Sequence, residues 1–230
     1  ATARSAKLKL KNCRARRSYL SSLRIFRIFC YYVGMFYTRV LKPIFFKCDP
    51  EFMHDFMVFW GEVFGAFPPA RWLIWLVWGY RGKDISKVID GVRYERPVLL
   101  SAGFDTDGRL SRILPSIALG GEEVGSVTAR PCEGNAKPRL TRLIRNNSLV
   151  VWKGLRNHGA EIIAERLLHK RTPKGFVVGI SVAQTNDEKV SNAEAGLEDY
   201  YETFKIMNGK VVGDYYTINI SCPNTFGGET

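Results

Sequence analysis

Tyr215-Tyr216-Thr217-Ile218-Asn219-Ile220-Ser221-Cys222-Pro223-Asn224-Thr225 reads as a buried β-strand running straight into a polar turn. β-formers fill its first half. Three groups able to do chemistry, Asn219, Cys222 and Asn224, gather at its C-terminal end. In a barrel of parallel strands that end is the active-site rim. A thiol held between two amides points to proton abstraction beside a flat, polar ligand. An ordinary strand followed by an Asn-Pro-type turn, with Cys222 as a small buried hydrophobe, fits the same stretch. The surrounding sequence decides between the two.

Upstream of this strand, β and α patterns alternate. Pro97-Val98-Leu99-Leu100-Ser101-Ala102 is a short buried strand, and further strands are predicted near 122–128 and 176–182. Helices are predicted near 108–119, 159–170 and 193–207. Such alternation argues for parallel β/α architecture, with four strands amounting to half of an eight-stranded barrel. Val88 to Tyr94 reads as a hairpin about Asp90-Gly91. The chain has no initiator Met and stops at Gly228-Glu229-Thr230, inside what reads as an active-site loop, so further sequence is expected beyond Thr230.

Charge divides the chain sharply. Residues 1–47 hold twelve of the 34 Lys and Arg and no acidic residue, leaving 22 basic against 22 acidic residues in the rest. The neutral body excludes a nucleic-acid binder by charge, and any basic surface is confined to the N-terminus. Residues 1–22 form a basic arm too poor in apolar surface to order alone. A mitochondrial-type presequence and a simple polybasic arm share that composition. Five cysteines without regular spacing, no CxxC and no histidine cluster exclude a disulfide framework and a structural metal site. Neither the GxGxxG nor the GxxxxGK[ST] phosphate signature is present.

Residues 23–82 are predicted to be helical and membrane-facing. Between 23 and 47, aromatics and cations alternate without an uncharged run long enough to span a bilayer, which suits a helix lying in the lipid interface, or else a buried amphipathic helix. A second helix starts at Asp49-Pro50-Glu51, with Asp49 placed to cap, Pro50 at the first position and Glu51 at the positive end of the dipole. Pro68-Pro69 breaks it, and a third short helix follows over Arg71–Arg81. Four of the five Trp lie between 60 and 78, and indoles favour a membrane interface. Two apolar helices joined by a Pro turn make a hairpin able to rest on a bilayer or to line the entry of a greasy ligand.

The barrel-like part, residues 83–230, carries a series of motifs in order. They are Ala102-Gly103-Phe104-Asp105, Glu123-Val124-Gly125-Ser126-Val127-Thr128-Ala129-Arg130-Pro131, Gly134-Asn135 with Pro138-Arg139-Leu140, and the 219–225 stretch, preceded by Asp49-Pro50-Glu51 with His54. Together they resemble dihydroorotate dehydrogenase, in its membrane-associated, quinone-using branch, over roughly residues 40 to 230. The resemblance implies a (β/α)8 TIM barrel holding FMN at the strands' C-terminal ends, of which about the first half is present here. It implies oxidation of dihydroorotate to orotate in pyrimidine (UMP) biosynthesis, with a quinone as final acceptor entering through the helical hairpin. The expected location is peripheral on the cytoplasmic face of the cell membrane, or the mitochondrial inner membrane. By the same resemblance Ala102, Gly103, Ser126, Ser181 and Asn219 contact FMN. Asn219, Asn224, Gly154 and Thr106 belong to the substrate site, and Cys222 is the base that removes the C5 proton.

Several residues depart from the family's pattern. Ser126 stands where a Thr is usual and Ser181 where an Asn is usual. Cys222 is the base of the soluble branch behind a quinone-type N-terminus; a thiol loses its proton more readily than an alcohol, so the swap is chemically tolerable. Thr106 replaces a Lys, and Val151 to Leu155 replaces a segment that supplies a substrate-binding Asn. The later flavin-phosphate strands are not in the sequence, so weak FMN binding is expected of this chain. These departures leave room for a related flavin barrel acting on another dihydropyrimidine or with a soluble-type acceptor, or for a non-catalytic membrane-peripheral barrel.

Overall fold

The computed structural model describes residues 32, 34–170, 172–190, 192–210, 212–222 and 225. The chain divides into two compact units, residues 1–49 and 50–230. The basic arm and the start of the aromatic stretch, residues 1–31, lie outside the described residues. In the first unit a widened helical turn, Tyr37–Leu41, leads into α1, Lys42–Phe45. Pro43 has no N–H to give, and the Lys42 N–H returns to the Tyr37 carbonyl. Phe36, Tyr37 and Ile44 are exposed.

The second unit begins with α2, Pro50–Ala66, and α3, Pro68–Trp78. The Pro pair starts α3 rather than only ending α2. Phe67 is extended, Pro68 takes the first helical position, and Gly79 leaves helical geometry at the far end. No described helix is long and apolar enough to cross a membrane. The Asp90-Gly91 hairpin pairs β1, Lys87–Ile89, with β2, Val92–Tyr94, and both turn residues take positive φ.

A parallel sheet follows in sequential order: β3 (Leu99–Leu100), β4 (Gly121–Val127), β7 (Val177–Val182) and β8 (Tyr215–Ile218). β5 (Leu140–Leu143) and β6 (Ser148–Val151) form a separate antiparallel hairpin. β7 is buried along its whole length and β4 at all but Glu123, as expected of central strands covered on both faces. β8 is the outer strand and leaves Ile218 59% exposed. Sequential parallel order, with α-helical crossovers from β4 to β7 and from β7 to β8, is the arrangement of neighbouring strands in a β/α barrel.

Helix α4, Ala160–His169, buries Ala160, Ile163, Ala164 and Leu167 against this sheet, an i, i+3, i+4, i+7 stripe. Helix α5, Ala193–Gly209, is capped by the Asn192 side chain accepting from the Ala195 N–H, and buries Met207. The helix predicted over 108–119 does not form. Turns and a single 3-10 turn, Leu114–Ile117, occupy that stretch. The Asp105 carboxylate takes the Arg109 and Leu110 N–H groups, Gly108 has φ +65, and Ala118 ends the segment in the left-handed region. Leu167 fills the space a Cβ on Gly108 would need.

One core residue breaks the apolar pattern. Glu122, on β4, is fully buried, and neither carboxylate oxygen has a hydrogen-bond partner. Burial, reinforced by the neighbouring Asp105 charge, pushes its carboxyl up to about 8. The folded protein therefore holds a proton here that the unfolded chain releases, so stability falls as pH rises from about 4.5 to about 8. Glu122→Val is expected to raise the thermal midpoint by several degrees at pH 8 and to flatten this slope, as read by unfolding across that pH range.

Candidate active site

Residues from three adjacent strands meet where β4, β7 and β8 end. Ser126 and Ser181 lie Oγ to Oγ at 2.8 Å, and Asn219 Nδ2 donates to Ser126 Oγ at 2.8 Å. Both serines are buried and Asn219 is half-buried. The backbone fixes this triangle. Ser181 pairs with Thr217 in register, and the Asn219 N–H donates to the Val182 carbonyl at 2.8 Å. Tyr200 of α5 donates its hydroxyl to the Asn219 carbonyl at 2.7 Å.

Ser126 reaches this face through an irregularity in its own strand. Glu123, Gly179 and Tyr215 face one side of the sheet, and Tyr215 donates to the Glu123 carboxylate at 3.3 Å. Ser126 comes three residues after Glu123, so strict alternation would point it the other way. The register between β4 and β7 shifts between Val124 and Val127, and Ser126 turns to the Ser181 side. Gly125 is required there: its φ is +121, and a Cβ would sit 2.6 Å from the Ser181 carbonyl oxygen.

The turn after β3 is drawn to the same edge. The Gly103 N–H donates to the Gly125 carbonyl at 2.8 Å, and the Gly125 N–H to the Asp105 carbonyl at 3.3 Å. Gly103 has φ +96, and the position of its missing Cβ is open space. Ala102, Gly103 and Phe104 form one wall of a cavity of about 510 Å³. Met53, His54 and Met57 of α2 form a second wall, and Leu140, Leu149 and Val151 of the β5–β6 hairpin a third. This is a mostly apolar space with two adaptable thioethers.

A smaller cavity of about 230 Å³ shares His54, Phe104 and Lys153 with the first, and adds Thr106, Arg156 and His158. His54 packs edge-on against Phe104 with ring centroids 4.8 Å apart. Burial, with the Lys153 and Arg156 charges, lowers the His54 pKa to about 4, so the imidazole is neutral at physiological pH. Lys153 is also lowered, chiefly by burial, and no carboxylate among the described residues lies within 4 Å of its Nζ. Asp107 accepts from the His158 backbone N–H at 3.1 Å and lies 2.8 Å from its Nδ1.

Two ion clusters hold α2 in place as a wall. Glu51, 4% exposed, meets Arg139 at 3.1 Å and Arg156 at 3.4 Å. At the other end Glu62 meets Arg109 at 2.7 Å and Lys170 at 2.5 Å. Burial raises the Glu62 carboxyl, but the Lys170 and Arg109 hydrogen bonds outweigh it and hold it below its ordinary value.

Of the residues singled out in the sequence, the fold brings Ser181 and Asn219 each into contact with Ser126 and ties Ala102–Gly103 to the same strand ends. Thr106 lies in the smaller cavity. Gly154 is buried at φ +66, its carbonyl taken by Cys132 Sγ and Asn186 Nδ2, both at 3.3 Å. Cys222 is half-buried just beyond β8, its carbonyl accepting from Thr225 Oγ1 at 3.0 Å. Asn224 lies outside the described residues. His54, Lys153 and the β5–β6 hairpin were not read as parts of a site. His54 could have been, since it follows Asp49-Pro50-Glu51 at a spacing that puts it on the same helix face as Glu51.

A parallel α/β sheet with polar groups collected at its C-terminal edge is the site geometry of β/α-barrel enzymes. The dihydroorotate dehydrogenase family model matches residues 85–230, and the chain belongs to that family. It is 32% identical over 200 residues to the dihydroorotate dehydrogenase (quinone) of Nostoc sp., covering 83% of this chain and 52% of that protein. To the protein of the same name from Haloarcula marismortui it is 40% identical over 140 residues, 60% of this chain and 38% of the relative. The crystal structure of DHODH from Eimeria tenella in complex with ferulenol superposes with a TM-score of 0.62 at 28% identity, covering 78% of this chain and 46% of that one. The chain thus spans about half the length or less of the curated relatives it matches.

Two outcomes test the geometry. Glu51→Gln is expected to cost about 3 kcal/mol in urea unfolding, because Arg139 and Arg156 lose their shared counter-charge. The His54 ring is expected to show no titration by NMR between pH 5.5 and 8. The unfolded chain binds a proton at its ordinary pKa of 6.5 and the folded one at about 4, so this residue contributes stability that is lost as pH falls through that window.

Proposed function

We propose that this chain forms the N-terminal part of the catalytic site of a quinone-dependent dihydroorotate dehydrogenase, an oxidoreductase of pyrimidine biosynthesis. The observation that carries the reading is the Ser126–Ser181–Asn219 triangle beside an unobstructed Gly103 at one sheet edge. A flat, hydrogen-bonding ring fits there. The backbone at Gly103 has no side chain to keep it away, and hydroxyl and amide groups stand ready for its polar atoms. These residues fit FMN, with Ala102 and Gly103 against the ring and Ser126, Ser181 and Asn219 on its polar edge. FMN bound there supplies a two-electron acceptor for the hydride from C6 of dihydroorotate and a donor to quinone.

The chain's own residues supply the rest. Cys222, half-buried beyond β8, takes the C5 proton of dihydroorotate as general base. Asn219 and Asn224 hold the substrate's amide and carboxylate groups. Thr106 and Gly154 complete the substrate side, and Lys153, at the join of the two cavities, supplies the positive charge that Thr106 lacks. The apolar cavity between α2 and the β5–β6 hairpin leads a quinone ring to Ala102–Gly103, past the neutral imidazole of His54.

Phe52, Phe56, Phe59, Trp60, Trp72 and Trp78 on α2 and α3 are between 39% and 61% exposed, an apolar surface that suits a lipid interface. Residues 23–82 are the membrane-facing region, 1–22 a basic arm that anionic lipid attracts, and 83–230 the first half of a (β/α)8 barrel. The protein sits peripherally on the cytoplasmic face of the cell membrane.

The test uses the protein with the family's remaining barrel strands present. Bound flavin is expected to bleach on anaerobic addition of dihydroorotate. Cys222→Ala is expected to lose at least about a hundredfold in that bleaching rate while keeping the flavin, in line with the contribution of a general base. Intact flavin with no bleaching in the unsubstituted protein would move the reading to another dihydropyrimidine.

A further inference from the structure

Residues of α3 line a cavity of about 350 Å³ whose lining is basic and aromatic. Arg71 comes from the first turns of α3, Arg96 from the segment before β3, Arg112 from the turns after it, and Lys174 from the segment before β7. Four separate pieces of chain thus bring four cations to one concavity. No acidic residue lines it, and none of the four has a carboxylate within 4 Å among the described residues. The body of the protein is electrically balanced, so this imbalance is local.

The hydrogen bonding is also incomplete. The Nε atoms of Arg71 and Arg96 are buried and have no partner. Arg96 gives one terminal N–H to the Pro115 carbonyl, and Arg112 one to the His169 carbonyl, both at 3.3 Å. These bonds orient the guanidiniums without neutralising them. Buried donors left unpaired and like charges held together both cost free energy, and an anion in the cavity offsets both. Trp72 and Trp75 also line it, and the Arg81 guanidinium lies 4.8 Å from the Trp75 ring centroid. The arrangement of several guanidiniums beside one ammonium is suited to tetrahedral oxyanions, because each planar fork can take two oxygens.

We propose that this cavity binds a phosphate group, carried either by an anionic phospholipid at the membrane surface or by a small soluble phosphate ester. The site is separate from the flavin and quinone surfaces and does not depend on the catalytic reading. Because exposed Trp72 and Trp75 line it, a phosphate can reach it from a bilayer as readily as from solution.

The experiment uses the whole chain. Inorganic phosphate and glycerol phosphate are titrated against tryptophan fluorescence and thermal midpoint. Co-sedimentation is measured with vesicles of pure phosphatidylcholine and of phosphatidylcholine mixed with phosphatidylglycerol. Arg71→Gln/Arg112→Gln is compared with the milder Arg112→Lys and with Lys174→Gln, each checked by circular dichroism. Saturable phosphate binding that falls at least about tenfold in the double variant, as expected when charged hydrogen bonds are lost, supports the site with a soluble ligand. Binding that appears only with phosphatidylglycerol vesicles and falls in the same variants supports it with a lipid headgroup. Equal binding to both vesicle types by all proteins, with no response to the phosphates, overturns the site and leaves membrane docking standing. Phosphate binding without any vesicle binding keeps the site and removes the docking reading.

Discussion

The carboxylate of Glu51 lies almost wholly out of water between the guanidiniums of Arg139 and Arg156, and much of the architecture depends on it. It joins the first turn of α2 to the loop that follows β4. Glu62 repeats the connection at the other end of the helix, through Arg109 and Lys170. Between them only Val58, among the apolar side chains of α2, is fully buried. A helix with so little apolar anchorage is held by its charges, and buried charges keep their strength only while paired. With α2 fixed, Met53, His54 and Met57 become a wall facing Ala102–Gly103 rather than a loose amphipathic surface.

The strand ends supply the other half of the site. A parallel sheet delivers one polar residue per strand to the same edge, so groups 55 and 93 residues apart in sequence meet as Ser126, Ser181 and Asn219. The local irregularity in β4 turns Ser126 toward the other two, and Gly125 makes that irregularity possible. Elsewhere on the same strand Glu122 introduces a cost, a carboxyl wholly out of water beside Asp105. Burial and the neighbouring Asp105 charge keep it protonated, which lowers the cost of that burial.

Much of this was legible in the residues and some was not. The central strands announce themselves because continuous runs such as Val177 to Val182 have no other use than burial on both faces. The 219–225 stretch and Ala102–Gly103 were legible as strand ends, since small and amide residues follow apolar ones there. The β5–β6 hairpin was missed although Leu149-Val150-Val151 is a run of β-formers, because both strands are only four residues long, largely exposed and without alternation. Over 108–119 the apolar spacing suggested a helix, but Gly108 takes φ +65, Pro115 has no N–H to give in the middle of the segment and Ala118 takes φ +70, so the stretch breaks into turns. The Arg71, Arg96, Arg112 and Lys174 cluster is invisible in sequence because only the fold brings those four segments together.

The central claim is that the ends of β3, β4, β7 and β8 receive a flavin ring. The most direct measurement is a crystal structure of the protein with FMN bound. The account requires the ring plane against Gly103, with Asn219 and at least one of Ser126 and Ser181 within hydrogen-bond distance of its polar edge. A flavin located elsewhere, with the Ser126–Ser181–Asn219 contacts unchanged and facing solvent, would contradict it.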